Sequence, residues 1–171
     1  MEIEPRLVEP LISCPASTYG DLFQPHLLEQ YKLYVQSVQQ VSDRREKANN
    51  YFFAINSSLI ALYAVASAAF GNQLWYGVLP VVGCLVSLTW YSLVSSYKNL
   101  NTSKFRIIHE LERHLPAALF RSEWEVCGYG AGTKYRPLTH IERIIPMLFG
   151  FLYLLLLAYT IWGPAAPVPK P

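Results

Sequence analysis

Charge is what this sequence lacks over its middle third. Residues 51–97 contain no Asp, Glu, Lys, Arg or His at 47 consecutive positions. That absence excludes an ordinary soluble domain, whose water-facing surface would carry charge along so long a stretch. Cysteine is scarce as well. Cys14, Cys84 and Cys127 share no metal-ligand spacing, and no disulfide follows from their positions. Positive charge has no marked excess, since 14 basic against 12 acidic side chains leave a net charge of +2. This is no footprint of nucleic-acid binding. A cleavable signal peptide is also not expected, because the first ten residues hold three Glu and no long apolar run. What is present is apolar: 52% hydrophobic and 14% aromatic residues, too many for a disordered chain. The composition describes an integral membrane protein.

A hydrocarbon core about 30 Å thick takes about 20 helical residues, so the uncharged stretch suits two crossings. The first is expected over residues 51–70 and the second over residues 74–97, joined by a short polar turn at Gly71, Asn72 and Gln73. Trp75 and Tyr76 at one end, and Tyr91 and Tyr97 at the other, suit the water boundary. A third crossing is expected over residues 144–162, which include four consecutive leucines, Leu154 to Leu157. The remaining segments are an N-terminal tail (1–24), a cytoplasmic helix (25–50), a helical loop (98–143) and a Pro-rich tail (163–171). The expected fold class is therefore an all-α membrane protein with three transmembrane helices. Basic residues set the orientation. Arg44, Arg45 and Lys47 precede the first span, Lys98, Lys104 and Arg106 follow the second, and Lys134, Arg136 and Arg143 precede the third. The positive-inside rule puts the N-terminus and residues 98–143 in the cytoplasm, and the C-terminus outside.

Pro25 suits the first turn of the helix that leads into the membrane. Tyr31, Tyr34, Val38, Val41, Arg45, Ala48 and Phe52 follow at alternating spacings of three and four, and Ile55, Leu59, Leu62, Ala66 and Ala69 continue the pattern. A period of 3.5 marks a helix face held against another helix. One continuous helix of about 44 residues, roughly 66 Å long, is expected. Two readings of the seam stand: packing on residues 98–128 of the same chain, or packing on copies of itself around an oligomer axis. In the second, Tyr31, Tyr34, Val38, Val41, Arg45 and Ala48 form the interface. Arg45 then needs a carboxylate such as Asp43 or Glu46 from a neighbour. Burying each large seam side chain contributes roughly 1.5–3 kcal/mol before entropic costs. Asn56, Ser57 and Ser58 are the polar group within the first span. They read either as interhelical bonds or as the lining of a pore.

The loop reads as two short helices, 104–115 and 117–127, the second ended by Gly128. Thr139 and Glu142 have capping-box spacing before the last span, and Pro146 suits a kink on the way into it. Gly128, Gly130 and Gly132 are in the wrong order for a phosphate loop. His109 and His114 are five residues apart and do not share a helix face, which argues against a metal site. No nucleophile, base and orienting group occur together. Neither an enzyme nor a cofactor is expected.

Two blocks of residues together resemble a known family. The first comprises Tyr31, Lys32, Leu33 and Tyr34, then Val41 to Arg45, then Ala48 to Phe52. The second comprises Trp124 and Glu125, then Tyr135, Arg136, Pro137, Leu138, Thr139, His140, Ile141 and Glu142, with Pro146 before the last span. Over roughly residues 28–160 the sequence resembles the RipA family of small bacterial inner-membrane proteins. The architecture also resembles, more loosely, that of SLATT-type membrane effectors, which are regarded as pore formers. The first resemblance implies about eight copies in a bacterial inner membrane. The expected function is a homo-oligomeric membrane scaffold or assembly platform without catalysis. The alternative is a ring-shaped channel or pore-forming effector. Expected partners are the lipid bilayer, further copies of the chain and a membrane or cytoplasmic protein not identifiable from sequence.

Overall fold

The computed structural model describes residues 11–69, 73–130 and 138–162. The first ten residues, residues 70–72 where the turn at Gly71 and Asn72 was expected, residues 131–137 with Lys134 and Arg136, and the Pro-rich tail lie outside the described residues. The elements are α1 (Ala16–Tyr19), α2 (Phe23–Ala69), α3 (Gln73–Glu112), α4 (Leu119–Val126), a 3₁₀ turn (Gly128–Gly130) and α5 (Leu138–Trp162). No strand occurs among the described residues.

Helix α2 runs for 47 residues without a glycine, and its one proline, Pro25, falls in the first turn. A proline there removes no hydrogen bond the helix needs. The cytoplasmic segment 25–50 and the expected first span 51–70 thus fall in one element, the continuous helix that the unbroken seam implies. Helix α3 departs further from expectation. It absorbs most of the residues expected to form a separate helix at 104–115 and continues for 40 residues. Residues 98–103 are polar but include neither glycine nor proline, and polarity alone does not end a helix. The end comes where backbone chemistry requires it. Arg113, His114 and Leu115 donate to carbonyls three residues back at 3.0–3.2 Å, tightening the last turn. Pro116 then disfavours a helical conformation for the residue before it. Helix α5 continues through Pro146 as a single element.

The chain divides into two compact units. One comprises residues 1–42 and 99–136, and the other residues 43–98 and 137–171. In the first unit Leu27, Val38, Ile108 and Leu111 are buried. With them is a buried carboxylate, Glu112, only 2% exposed. One of its oxygens accepts the Phe120 N–H at 2.8 Å and the Tyr31 hydroxyl at 3.2 Å; the other accepts the Arg121 N–H at 3.0 Å. Phe120 and Arg121 lie in the first turn of α4, where backbone N–H groups have no helical acceptor. Ala118, at the cap position, offers no side-chain acceptor. Glu112 therefore caps α4 from another helix. Gly128, with φ of 68°, takes the left-handed conformation just beyond the other end of α4.

The second unit carries the most apolar surface. Part of α3 within Trp75–Glu112 has a mean hydropathy of 1.8, and part of α5 within Ile141–Trp162 one of 2.2. Both helices are long and apolar enough to cross a membrane. In α5 only 11% of that apolar stretch is buried. Met147, Leu148, Phe151, Leu154 and Leu155 all point outward. A helix apolar on its exposed face suits lipid or another apolar surface, not water.

Glu112→Ala removes the acceptor of three donors and is expected to destabilise the first unit by about 1–3 kcal/mol. The check is hydrogen exchange at Phe120 and Arg121, which should accelerate; Glu112→Gln, which keeps one acceptor oxygen, should lose less. The Tyr31 phenol is pushed up to about 12, by burial first and then by the charge and hydrogen bond of Glu112. Its folded value lies above its ordinary 10.0. Its contribution is therefore intact below that value and lost as pH rises through about 12. Titration of ring-labelled tyrosine by NMR should find the Tyr31 phenol ionising late, and earlier in Glu112→Gln.

Candidate functional site

The seam on α2 is occupied within the chain. Val38 is buried, and Tyr31, Tyr34, Val41, Arg45 and Ala48 are half-buried. Tyr31 meets Glu112. The Lys104 ammonium donates to the Ser37 hydroxyl at 2.8 Å and lies 4.7 Å from the centroid of the Tyr34 ring. The Tyr34 phenol is pushed above its ordinary value by burial. Of the two readings of the period-3.5 pattern, packing on residues 98–128 of the same chain accounts for these contacts. Arg45 likewise has a partner in its own chain. Its Nε lies 3.5 Å from Oε2 of Glu142, with both side chains about 15% exposed.

A polar knot holds α2, α3 and α5 together in the second unit. Asn56 is fully buried. Its amide nitrogen donates to the Phe52 carbonyl at 2.8 Å, and its side-chain oxygen accepts the Ser87 hydroxyl at 3.1 Å. Its backbone carbonyl accepts the Tyr153 hydroxyl at 3.0 Å. Three helices thus meet at one residue, and each polar group spends its capacity on another helix or on its own backbone. Gly83 makes the arrangement sterically feasible, because a Cβ there would overlap the Tyr153 ring. Ser57 and Ser58, the other two residues of that group, are exposed and stand outside the knot.

A second cluster lies at the charged end of the same unit. Trp90, 1% exposed, donates its indole N–H to Oδ1 of Asn49 at 2.9 Å. Its ring stacks on Phe52 with centroids 6.0 Å apart and meets Phe149 at 6.1 Å. The Arg143 guanidinium lies 5.8 Å from the centroid of the Tyr91 ring. Asn49, Asn50, Phe53, Trp90, Glu142 and Ile145 line a cavity of about 110 Å³. Glu142 here pairs with Arg45. Helix α5 begins at Leu138, which places Thr139 inside its first turn; the Thr139 side chain lies outside the described residues. Pro146 is buried within α5.

Several residues of these clusters gave no signal in the sequence. Glu112 caps amides eight and nine residues further along the chain, and Tyr153 looks like one more large residue in a leucine run. Ser87 and Gly83 matter only because of what stands opposite them. Among the described residues no group of three or more His, Cys, Asp or Glu side chains is placed to hold a metal ion.

Helices with outward apolar faces, tied together inside by buried amide and hydroxyl bonds, define an all-helical membrane protein. The sequence model of the octameric membrane protein family matches residues 28–162. The chain belongs to that family. An octameric membrane family was expected; the name RipA does not accompany the match. No curated protein and no solved structure matches the chain.

Gly83→Ala is expected to displace the Tyr153 ring and cost about 1–3 kcal/mol of membrane-unit stability. Asn56→Leu removes both bonds of the amide side chain and should cost about 1–2 kcal/mol. Both follow from thermal or denaturant unfolding in detergent. The double variant should fall short of the sum, because the two residues act on one knot.

Proposed function

We propose that the protein is a homo-oligomer of about eight copies, serving as a scaffold or assembly platform in a bacterial inner membrane without catalysing a reaction. Each copy crosses the membrane three times, through residues 51–70, 74–97 and 144–162, with the N-terminus in the cytoplasm and the C-terminus outside. Membership of an octameric family carries this reading. Supporting it, the unit formed by residues 1–42 and 99–136 leaves Leu22, Leu33, Leu119 and Val126 at least 59% exposed. These residues lie outside the proposed spans, where lipid tails do not cover them and a neighbouring copy would. The seam residues Tyr31, Tyr34, Val38, Val41, Arg45 and Ala48 serve assembly by fixing the helix pair that neighbouring copies meet.

A channel in the same ring is the second reading. The exposed hydroxyls of Ser57 and Ser58 on the uncharged part of α2 favour it, since polar groups not spent inside the chain suit an axial path. The spans hold no Asp, Glu, Lys, Arg or His, so such a path would be neutral and would gate by dewetting.

Native mass spectrometry of the purified protein should show a discrete ring of about eight copies, and a monomer would refute the assembly. Leu33→Glu with Leu119→Glu should reduce the subunit count and leave membrane insertion and helicity unchanged. Reconstituted protein should show no unitary conductance in planar bilayers. Conductance that Ser57→Leu and Ser58→Leu abolish would transfer the function to the channel reading.

A further inference from the structure

Arg143 is a cation that the chain leaves unspent at the border of its last apolar run. Glu142, beside it in sequence, faces Arg45 on α2. Arg143 turns to α3 instead, where its guanidinium lies 5.8 Å from the centroid of the Tyr91 ring. Among the described residues no carboxylate pairs with it and no oxygen accepts from it. Its Nε is buried, so the two terminal nitrogens form the edge that reaches the surface. A guanidinium positioned by an aromatic ring keeps those paired N–H donors for an oxyanion.

What lies beside that edge selects the anion. Helices α3 and α5 run antiparallel here: Tyr91 meets Arg143, Cys84 Sγ lies 4.0 Å from the Gly150 carbonyl oxygen, and Gly83 faces Tyr153. Met147, Phe151 and Leu154 follow Arg143 at four, eight and eleven residues, which puts them in one stripe of α5. Leu88 lies three residues before Tyr91 on the facing flank of α3. All four are more than half exposed, and Gly150 adds no side chain to fill the seam between the helices. The stripe leads from Arg143 into the most apolar part of α5, the direction an acyl chain takes from its phosphate. A free phosphate would use the donors but leave this apolar surface uncovered. Further charge at the border is positive. Lys98, seven residues past Tyr91, is on the same face of α3, and α3 holds no Asp or Glu before Glu110. A zwitterionic headgroup would bring its ammonium to these cations with no carboxylate on that flank to receive it, a conflict an anionic headgroup does not meet.

We propose that Arg143 and the apolar seam beside it hold an anionic phospholipid, its phosphate on the guanidinium and an acyl chain along Leu88, Met147 and Phe151. This site rests on α3 and α5 crossing the membrane, which resistance to alkaline extraction tests separately. The assembled full-length protein, delipidated in detergent, would be mixed with dioleoyl phosphatidylglycerol or with dioleoyl phosphatidylethanolamine, and bound lipid counted by native mass spectrometry. Phosphatidylglycerol should be retained about tenfold more tightly, the ratio one charge-assisted hydrogen bond supplies. Arg143→Gln should remove that preference, and Arg44→Gln, at an exposed arginine of α2, should keep it. Glycerol 3-phosphate at the same concentration should not displace the lipid. At one lipid per chain, phosphatidylglycerol with a diazirine in its acyl chain should label Met147 and Phe151 ahead of Leu62 and Val65, which are exposed on α2. Equal retention of the two lipids by the unaltered protein, or labelling spread evenly over α2 and α5, overturns the inference whether or not a variant folds. A folded Arg143→Gln protein that keeps the preference overturns it as well, as do its loss in folded Arg44→Gln and displacement by glycerol 3-phosphate.

Discussion

One buried asparagine does most to order the membrane unit. Asn56 bonds Ser87 of α3 through its side chain and Tyr153 of α5 through its backbone, while its amide nitrogen is held by its own helix. Lipid supplies no hydrophobic force to press helices together, so membrane helices associate through close packing and hydrogen bonds. A fully buried amide has no water to fall back on, and separating the helices would strand several polar groups at once. The knot therefore fixes which faces turn inward. It also leaves the apolar residues of α5 facing outward, where a bilayer or a neighbouring copy receives them.

The other unit uses the same logic with a charged group. Glu112 is buried, yet its oxygens are occupied by two backbone amides and a phenol. Those donors lie on α2 and at the start of α4, so the carboxylate joins the end of α3 to both. Lys104 reinforces the α2–α3 contact with a hydrogen bond to Ser37 and a cation–π contact with Tyr34. In both units the polar residues that look exceptional in an apolar sequence are spent on holding helices in register. That use is consistent with a structural role, and it leaves the exposed surface to define what the protein meets.

The long period-3.5 seam shows how far sequence reasoning reaches. Its alternation identifies α2 as one helix with one contacting face, because helical periodicity is a local property. It does not identify the partner, since a helix from the same chain and one from another copy accept the same face. Within the chain, Val38 is buried and Tyr31 and Lys104 form bonds between α2 and α3. Boundaries were less legible than faces. The polar segment after Tyr97 resembled a break, yet without glycine or proline α3 runs on to Glu112 and stops near Pro116. The start of α4 shows no local cap, because the capping group lies on another helix.

Sequence by itself determined the membrane character of the chain, its helical class and the contacting face of α2. Each rests on composition or on a spacing of a few residues, which folding cannot change. Tertiary structure decided which polar residues meet: Asn56 with Ser87 and Tyr153, Glu112 with the amides of α4, and Arg45 with Glu142. These partners lie far apart along the chain, from 8 residues for Glu112 and Phe120 to 97 for Asn56 and Tyr153. No local pattern encodes such a meeting. It exists only once the helices are packed, because the cost of burying a polar group is settled by what stands opposite it.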